Sequence, residues 1–232
     1  MRIRGVAFDL EGTIVDLERY HFETFVCAAA DLGVRLTVTE IFEKIPMAIG
    51  GGEQLIAEGI ERLSDGKTKA SEILTRKRAR YEELILMLPN ITPRPGFREV
   101  FNWFREQGYG CTIASLTRGS QAEVLLSRSG LDQLFDRDHV VLLEDVREKK
   151  PAPDVYLETA RRRGISPEEQ LAFEDSPAGV KAACTAGSLV VAIPIYTFTR
   201  NLVEIIQLGA IRIFADWREM NVAALIANLN QV

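Results

Sequence analysis

The sequence predicts an α/β protein in which a parallel β-sheet carries helices on both faces and is interrupted near its start by a helical insertion. Two observations predict this class. After residue 96, short apolar stretches typical of buried strands alternate with amphipathic stretches typical of helices. Before that point, a block of roughly 70 residues shows only helical periodicity. With 232 residues, of which 47% are apolar and 26% charged, the chain is long enough for one such domain with a smaller insert.

The first strand and the helical block are distinguished by their periodicity. Residues 3–9 have the apolar character of a short buried strand and end in a carboxylate, and residues 10–16 form a loop. From Glu18 to about Leu86, apolar residues recur at spacings of three and four, as expected of helices. Residues 89–96 are too rich in proline for a helix or a central strand, so they suit a linker.

The remainder of the chain alternates between the two element types. Strands are predicted at residues 110–115, 140–143, 170–173, 189–193 and 211–214. Helices are predicted at residues 98–107, 121–129, 154–163, 178–186 and 202–208, with a further helix at the C-terminus. We therefore expect a core domain formed by residues 1–15 and 95–232, and an inserted helical domain formed by residues 16–94.

Composition excludes several classes of function. The formal charge of −5 makes general nucleic-acid binding a poor expectation, because phosphate neutralisation dominates that affinity. No apolar run reaches the roughly 20 residues of a membrane-spanning helix, and the chain enters a strand pattern at once, so no signal peptide is visible. Cys27, Cys111 and Cys184 have no CxxC spacing, and we expect them to be buried thiols of a reducing cytoplasm.

The predicted strand ends carry the chemically active residues. Asp9 follows the first strand, Ser115 the second, and Glu174 and Asp175 a later one, while Lys150 precedes a helix. Ligands bind beyond the carboxyl ends of parallel strands. Taken singly, such residues often only cap helices or form turns. Together, carboxylates that can hold a hard divalent cation, a hydroxyl and an ammonium suit phosphoryl transfer through an aspartyl phosphate.

Four segments together resemble the motifs of the haloacid dehalogenase superfamily. Residues 8–16, FDLEGTIVD, resemble its first motif, and residues 113–115, IAS, its second. Residues 150–154, KPAPD, and 173–180, FEDSPAGV, resemble the third and fourth. The resemblance covers essentially the whole chain and is nearest to β-phosphoglucomutase-like and phosphoglycolate-phosphatase-like members. It implies a Rossmann-like, doubly wound core with an inserted α-helical cap.

The resemblance also implies the roles of the central residues. Asp9 would be the nucleophile and a ligand of Mg²⁺. The backbone carbonyl of Glu11 and the carboxylate of Asp175 would be further ligands, with Glu174 beside them. Lys150, which directly precedes the proline of its motif, would pair with both Asp9 and the phosphate, and Lys149 is the alternative lysine.

Five further residues complete the expected site. Ser115 would bind the phosphate, Gly12 would permit a tight turn, and Thr13 would orient the loop of the nucleophile. His21 stands where β-phosphoglucomutase-like members have a histidine near the cap hinge, and the alternative is a purely structural contact. Thr117 follows the second motif and would line the phosphate pocket.

Glu11 departs from the family pattern. Phosphatases and mutases of the family place an aspartate there, which protonates the leaving oxygen and then activates water. Glutamate keeps the acid but extends its reach by one methylene, and a misplacement of about 1 Å can cost on the order of a hundredfold in rate. Family dehalogenases use a non-acidic residue there, so the carboxylate favours phosphate esters.

The resulting prediction is a Mg²⁺-dependent phosphatase of a small phosphorylated metabolite, located in the cytoplasm. A sugar phosphomutase and a weakly active regulatory relative stay open as alternatives. The identity of the substrate and the oligomeric state have no signal in the sequence.

Overall fold

The computed structural model describes residues 3–45, 48 and 52–231. The chain divides into two compact units: one contains the chain up to Asp16 and from Asn90 onward, and the other is Leu17–Pro89. The linker at residues 90–96 therefore groups with the first unit. It does so because Pro93 pairs with Val15 as an antiparallel bridge and the amide of Arg94 donates to the Ile14 carbonyl.

The unit Leu17–Pro89 is helical over its described residues. Its helices are α1 (Glu18–Asp31), α2 (Val38–Lys44), α3 (Gly52–Leu63) and α4 (Ala70–Met87). The start of α2 is fixed by a capping box, in which Thr37 accepts from the Glu40 amide and Glu40 accepts from the Thr37 amide. Phe22 and Phe25 of α1 are buried, as the spacing of apolar residues predicts.

The other unit is built on a parallel sheet. Its strands are β1 (Gly5–Phe8), β2 (Gly110–Ala114), β3 (Val140–Val141), β4 (Gln170–Glu174), β5 (Leu189–Ala192) and β6 (Arg212–Ile213). Its helices are α5 (Phe97–Glu106), α6 (Gly119–Ser129), α7 (Asp154–Arg163), α8 (Pro177–Ala186), α9 (Thr199–Gln207) and α10 (Val222–Leu229). Within the described residues, the strand order is β3-β2-β1-β4-β5-β6, and the pairings are parallel.

Alternation along the central strands divides the core of this unit into two faces. Phe8 and Phe173 stack 5.2 Å apart on one face, among the aromatic rings of α5 and Trp217. Ala7 and Ala172 lie on the other face, in a cluster that includes Tyr156 of α7. Because alanine is small, α7 can approach the sheet closely on that side, which brings Tyr156 beneath the end of β4.

The predicted doubly wound α/β fold is confirmed. Two local expectations were wrong. β3 ends at Val141, and Leu143 instead begins a 3₁₀ turn. The three cysteines are free thiols, but Cys27 is exposed on α1 and the other two are only half-buried. Among the residues that the structure describes, no helix is long and apolar enough to cross a membrane.

Candidate active site

The predicted site residues of the sheet unit converge at one edge of the sheet. β1 lies between β2 and β4, so the order of the strands reverses at β1. Asp9 follows β1, Ser115 follows β2, and Glu174 is the last residue of β4. The crevice beyond such a reversal is where doubly wound sheets bind ligands.

Lys150 connects the two neighbouring carboxylates. Its Nζ lies 2.6 Å from Asp9 Oδ1 and 2.6 Å from Glu174 Oε1, and it donates to the Ala114 carbonyl at 3.0 Å. An ammonium has three N–H donors, and these acceptors use all three. Lys150, rather than its neighbour Lys149, therefore holds Asp9 in place.

Glu174 is fully buried and is bound entirely by protein donors. Its Oε1 accepts from Lys150 and from the Tyr156 hydroxyl, which lies 2.8 Å away. Its Oε2 accepts from the Asp175 amide at 3.0 Å and from the amide and hydroxyl of Ser176, each at 3.2 Å. Both oxygens therefore already have the hydrogen bonds that a buried carboxylate needs.

Charged groups interact closely in this cluster. The pKa of Asp9 is raised to about 7, chiefly by burial and also by the nearby charge of Glu174, while the charge of Lys150 acts to lower it. Burial by itself lowers the pKa of Lys150, but the charges of Asp9 and Glu174 raise it above its ordinary value overall. The ammonium is therefore charged, and an added cation would relieve the cost of ionising Asp9.

Asp175 lies against the loop that follows Asp9. Thr13 Oγ1 donates to Asp175 Oδ1 at 3.3 Å. Gly12 has φ +90°, and a Cβ added to it would clash with Asp175 Oδ2. Glycine is thus required twice at this position, for its backbone conformation and for the close approach of the carboxylate.

Glu11 reaches the segment that follows β2. Thr117 Oγ1 donates to Glu11 Oε1 at 2.5 Å, and it lies 2.8 Å from Ser115 Oγ. The Thr117 amide also donates to Ser115 Oγ, at 3.2 Å. The Thr117 hydroxyl thus binds the carboxylate of Glu11, and the role expected for Thr117 in lining a phosphate pocket stays a prediction.

The residues present suit a hard divalent cation. Asp9, Glu174 and Asp175 offer carboxylate oxygens that lie within 4.8 Å of one another. Asp9 Oδ2 is buried and has no hydrogen-bond partner within the described part of the chain. A buried carboxylate oxygen without a donor is costly unless a cation satisfies it. Because both oxygens of Glu174 are already bound, Asp9 and Asp175 are the better side-chain candidates for ligands.

His21 lies in the helical unit, on α1. Its Nδ1 is 2.9 Å from Lys77 Nζ, and its ring stacks on Tyr81 with a centroid distance of 4.1 Å. The Lys77 side chain is only 4% exposed and also pairs with Glu53 at 3.3 Å. The role predicted for His21 at the substrate stays a prediction.

Tyr156 and Arg94 contact the site residues but had no signal in the sequence. Tyr156 lies on the apolar face of α7, a position that in the sequence indicates only packing. Its hydroxyl donates a hydrogen bond to Glu174, a contact that the sequence does not indicate. Arg94 stands in a proline-rich linker, yet it donates to the Gly12 carbonyl at 2.7 Å. Both contacts depend on pairings of distant segments that periodicity does not reveal.

Comparison with known proteins gives a consistent result. A family model described as haloacid dehalogenase-like hydrolase matches residues 3–187. Protein CbbY of Rhodobacter capsulatus is 30% identical over 197 residues, which cover 84% of this chain and 86% of that protein. The fructose-1-phosphate phosphatase YqaB of Escherichia coli is 29% identical over 190 residues, which cover 80% of this chain and 94% of YqaB.

A solved structure extends the likeness to the fold. A point mutant of CbbY from Rhodobacter sphaeroides, in complex with xylulose-(1,5)bisphosphate, superposes with a TM-score of 0.68 at 25% identity. The match covers 96% of this chain and 99% of that one.

Proposed function

This chain belongs to the haloacid dehalogenase-like hydrolases, and from that premise we propose that it is a Mg²⁺-dependent phosphatase of a small phosphorylated sugar, with Asp9 as the nucleophile. The observation that carries the proposal is the cluster of Asp9, Lys150 and Asp175 at the reversal of strand order. Two relatives support this substrate class: YqaB is named as a fructose-1-phosphate phosphatase, and the CbbY mutant was solved in complex with a sugar bisphosphate.

The reaction would proceed in two steps. The Asp9 carboxylate attacks phosphorus, the P–O bond to the sugar breaks, and protonated Glu11 gives its proton to the leaving oxygen. In the second step, Glu11 takes a proton from water, the water oxygen attacks the aspartyl phosphate, and inorganic phosphate leaves Asp9. Glu11 is then protonated again, so atoms and charge balance over the cycle.

The other residues bind and orient. With substrate bound, the Ser115 hydroxyl would turn from Thr117 Oγ1 to a phosphoryl oxygen, and Lys150 favours the ionised form of Asp9 and adds positive charge beside the phosphate. Thr117 holds the carboxyl group of Glu11, and Thr13 holds that of Asp175. Asp9, Asp175 and the Glu11 carbonyl are the groups that would bind Mg²⁺, which when bound neutralises phosphate charge. We propose that Glu174 binds Lys150 and Tyr156 and is not a ligand of the metal.

The test is a screen for phosphate release from sugar phosphates and phosphoglycolate, with and without chelator. Wild-type enzyme should release phosphate with Mg²⁺ and stop in chelator. The rate of phosphate release should fall at least about a thousandfold in Asp9→Asn, which is the scale of removing a covalent nucleophile. Asp136→Asn, which neutralises a carboxylate whose side chain is 90% exposed, should keep full activity.

Other outcomes separate the alternatives. Conversion of one sugar phosphate into its isomer without phosphate release would favour a mutase. Binding without turnover would favour a regulatory relative. Full turnover by Asp9→Asn would remove Asp9 from the role of nucleophile. The cytoplasmic location expected from the sequence stays a prediction.

A further inference from the structure

Arg94 joins three loops at the carboxyl edge of the sheet. Its Nη1 donates to the carbonyls of Gly12 at 2.7 Å and Ile193 at 2.6 Å, and its Nη2 donates to the Ala215 carbonyl at 3.1 Å. These acceptors follow β1, β5 and β6 respectively. One guanidinium therefore holds together the ends of three strands.

The backbone of the same residue holds the nucleophile loop a second time. The Arg94 amide donates to the Ile14 carbonyl at 2.6 Å, and the neighbouring Pro93 bridges to Val15. The loop thus receives a charged donor at Gly12 and a backbone donor two residues later. A hydrogen bond from a charged donor is stronger than one between neutral groups.

The loop has no room to shift at Gly12. A Cβ there would clash with Asp175 Oδ2, so the backbone already touches that carboxylate. Thr13, the next residue, donates to the same carboxylate. A movement of Gly12 toward Asp175 would therefore displace that carboxylate, and a rotation of the Gly12 peptide group would also move the Glu11 carbonyl bonded to it.

We propose that Arg94 is a positioning residue of the phosphoryl-transfer site, which sets the geometry of the groups that bind Mg²⁺ by fixing the Gly12 carbonyl. The inference rests on the proposed function, since it concerns the same site. The planar fork of arginine suits this role, because it directs several N–H groups at once toward acceptors on different loops. Lysine would keep the charge but would lose the fork.

The test compares Arg94→Met and Arg94→Lys with the matched control Arg98→Met. Arg98 lies on α5 and donates to the Ser129 carbonyl at 2.7 Å. The first measurement is hydrogen exchange of the Gly12, Ile14 and Val15 amides in protein free of metal. We expect exchange at least about tenfold faster in Arg94→Met, since one charge-assisted hydrogen bond accounts for that much or more. Arg98→Met should match the wild type there.

The second measurement is the Mg²⁺ concentration that gives half-maximal phosphate release. It should rise at least about tenfold in Arg94→Met and by less in Arg94→Lys, which can still reach one carbonyl. If Arg94→Met does not fold, the test rests on Arg94→Lys, in which the required Mg²⁺ concentration should still exceed that of the wild type. Unchanged exchange at residues 12–15, or lower thermal stability with an unchanged Mg²⁺ requirement, would overturn the positioning role.

The two measurements also separate this inference from the proposed function. If wild-type enzyme released no phosphate, the proposed function would fail while the exchange experiment still reported on Arg94. If wild-type enzyme were active and the Arg94 variants behaved like Arg98→Met in both measurements, only the role of Arg94 would fall.

Discussion

At the scale of single residues, the extra methylene of Glu11 has a visible use. It carries the carboxylate to Thr117 Oγ1, whose own position is set by two contacts with Ser115. An aspartate at this position would stop about one C–C bond short of that hydroxyl. The hydrogen bond from Thr117 thus holds the Glu11 carboxylate in one position, so the longer side chain need not leave the acid misplaced.

This arrangement makes Glu11→Gln a clean test of proton transfer. Glutamine keeps an oxygen that can accept from Thr117, but it neither gives nor takes the required proton. Hydrolysis should fall by roughly a hundred- to ten-thousandfold. With p-nitrophenyl phosphate, whose leaving group is already good, the second step should slow more than the first, so a phosphoaspartate on Asp9 should accumulate and be trapped by rapid quench.

The companion variant Glu11→Asp separates the effect of side-chain length from the effect of having a carboxyl group. It keeps the acid but loses the Thr117 contact, so we expect turnover below that of the wild type. Wild-type turnover in Glu11→Gln with no accumulated intermediate would instead mean that Glu11 supplies only its carbonyl, and it would favour a weakly active or regulatory relative.

At the scale of elements, the loop between β1 and α1 tolerates little change at Gly12. Gly12→Ala combines a positive φ with a clash against Asp175, whereas Gly108→Ala, at φ +80°, meets no atom within 4 Å. The control should therefore cost only the backbone strain, about 1–2 kcal/mol. Gly12→Ala should cost more in the free energy of unfolding and should abolish phosphate release. Equal costs in urea denaturation with activity retained would refute the close approach.

Elements with strong local patterns were predictable from the sequence. The apolar runs of β2 and β4 and the periodicity of α1 and α7 identified their type, since burial in a central strand or on a helix face leaves a regular trace. β3 was predicted too long, because an apolar run continues beyond its two paired residues. The termini of short elements depend on pairing partners rather than on local sequence.

Side-chain contacts between distant segments were not predictable in the same way. The family resemblance named Asp9, Ser115, Lys150 and Asp175 as a set, and the structure brings the three strand ends and the loop before α7 that carry them to one edge of the sheet. The hydroxyl of Tyr156 and the guanidinium of Arg94 find partners in segments far away in sequence. No pattern in the sequence specifies such contacts, which arise only from the strand order.

At the scale of the whole molecule, the clustered carboxylates should couple metal binding to stability. Mg²⁺ at about 100 times its Kd stabilises a folded protein by about 2.7 kcal/mol. For a chain of this size, that corresponds to a rise in Tm of roughly 5–11 °C. We expect this shift in the wild type and in Asp136→Asn, and less than half of it in Asp9→Asn. A full shift in Asp9→Asn, measured by calorimetry, would place the cation elsewhere.

The central position of β1 also has a consequence for synthesis. Gly5 pairs with Gly110 on one side and with Gln170 on the other, so the first strand of the sheet to leave the ribosome has no partner until long afterward. The helical unit, continuous from Leu17 to Pro89, is complete before either partner exists. Because domains fold as units while the chain grows, that unit can form while β1 waits unpaired. Asp9, the proposed nucleophile, therefore acquires its surroundings only after translation has passed Asp175, and a nascent chain shorter than that lacks part of the proposed site.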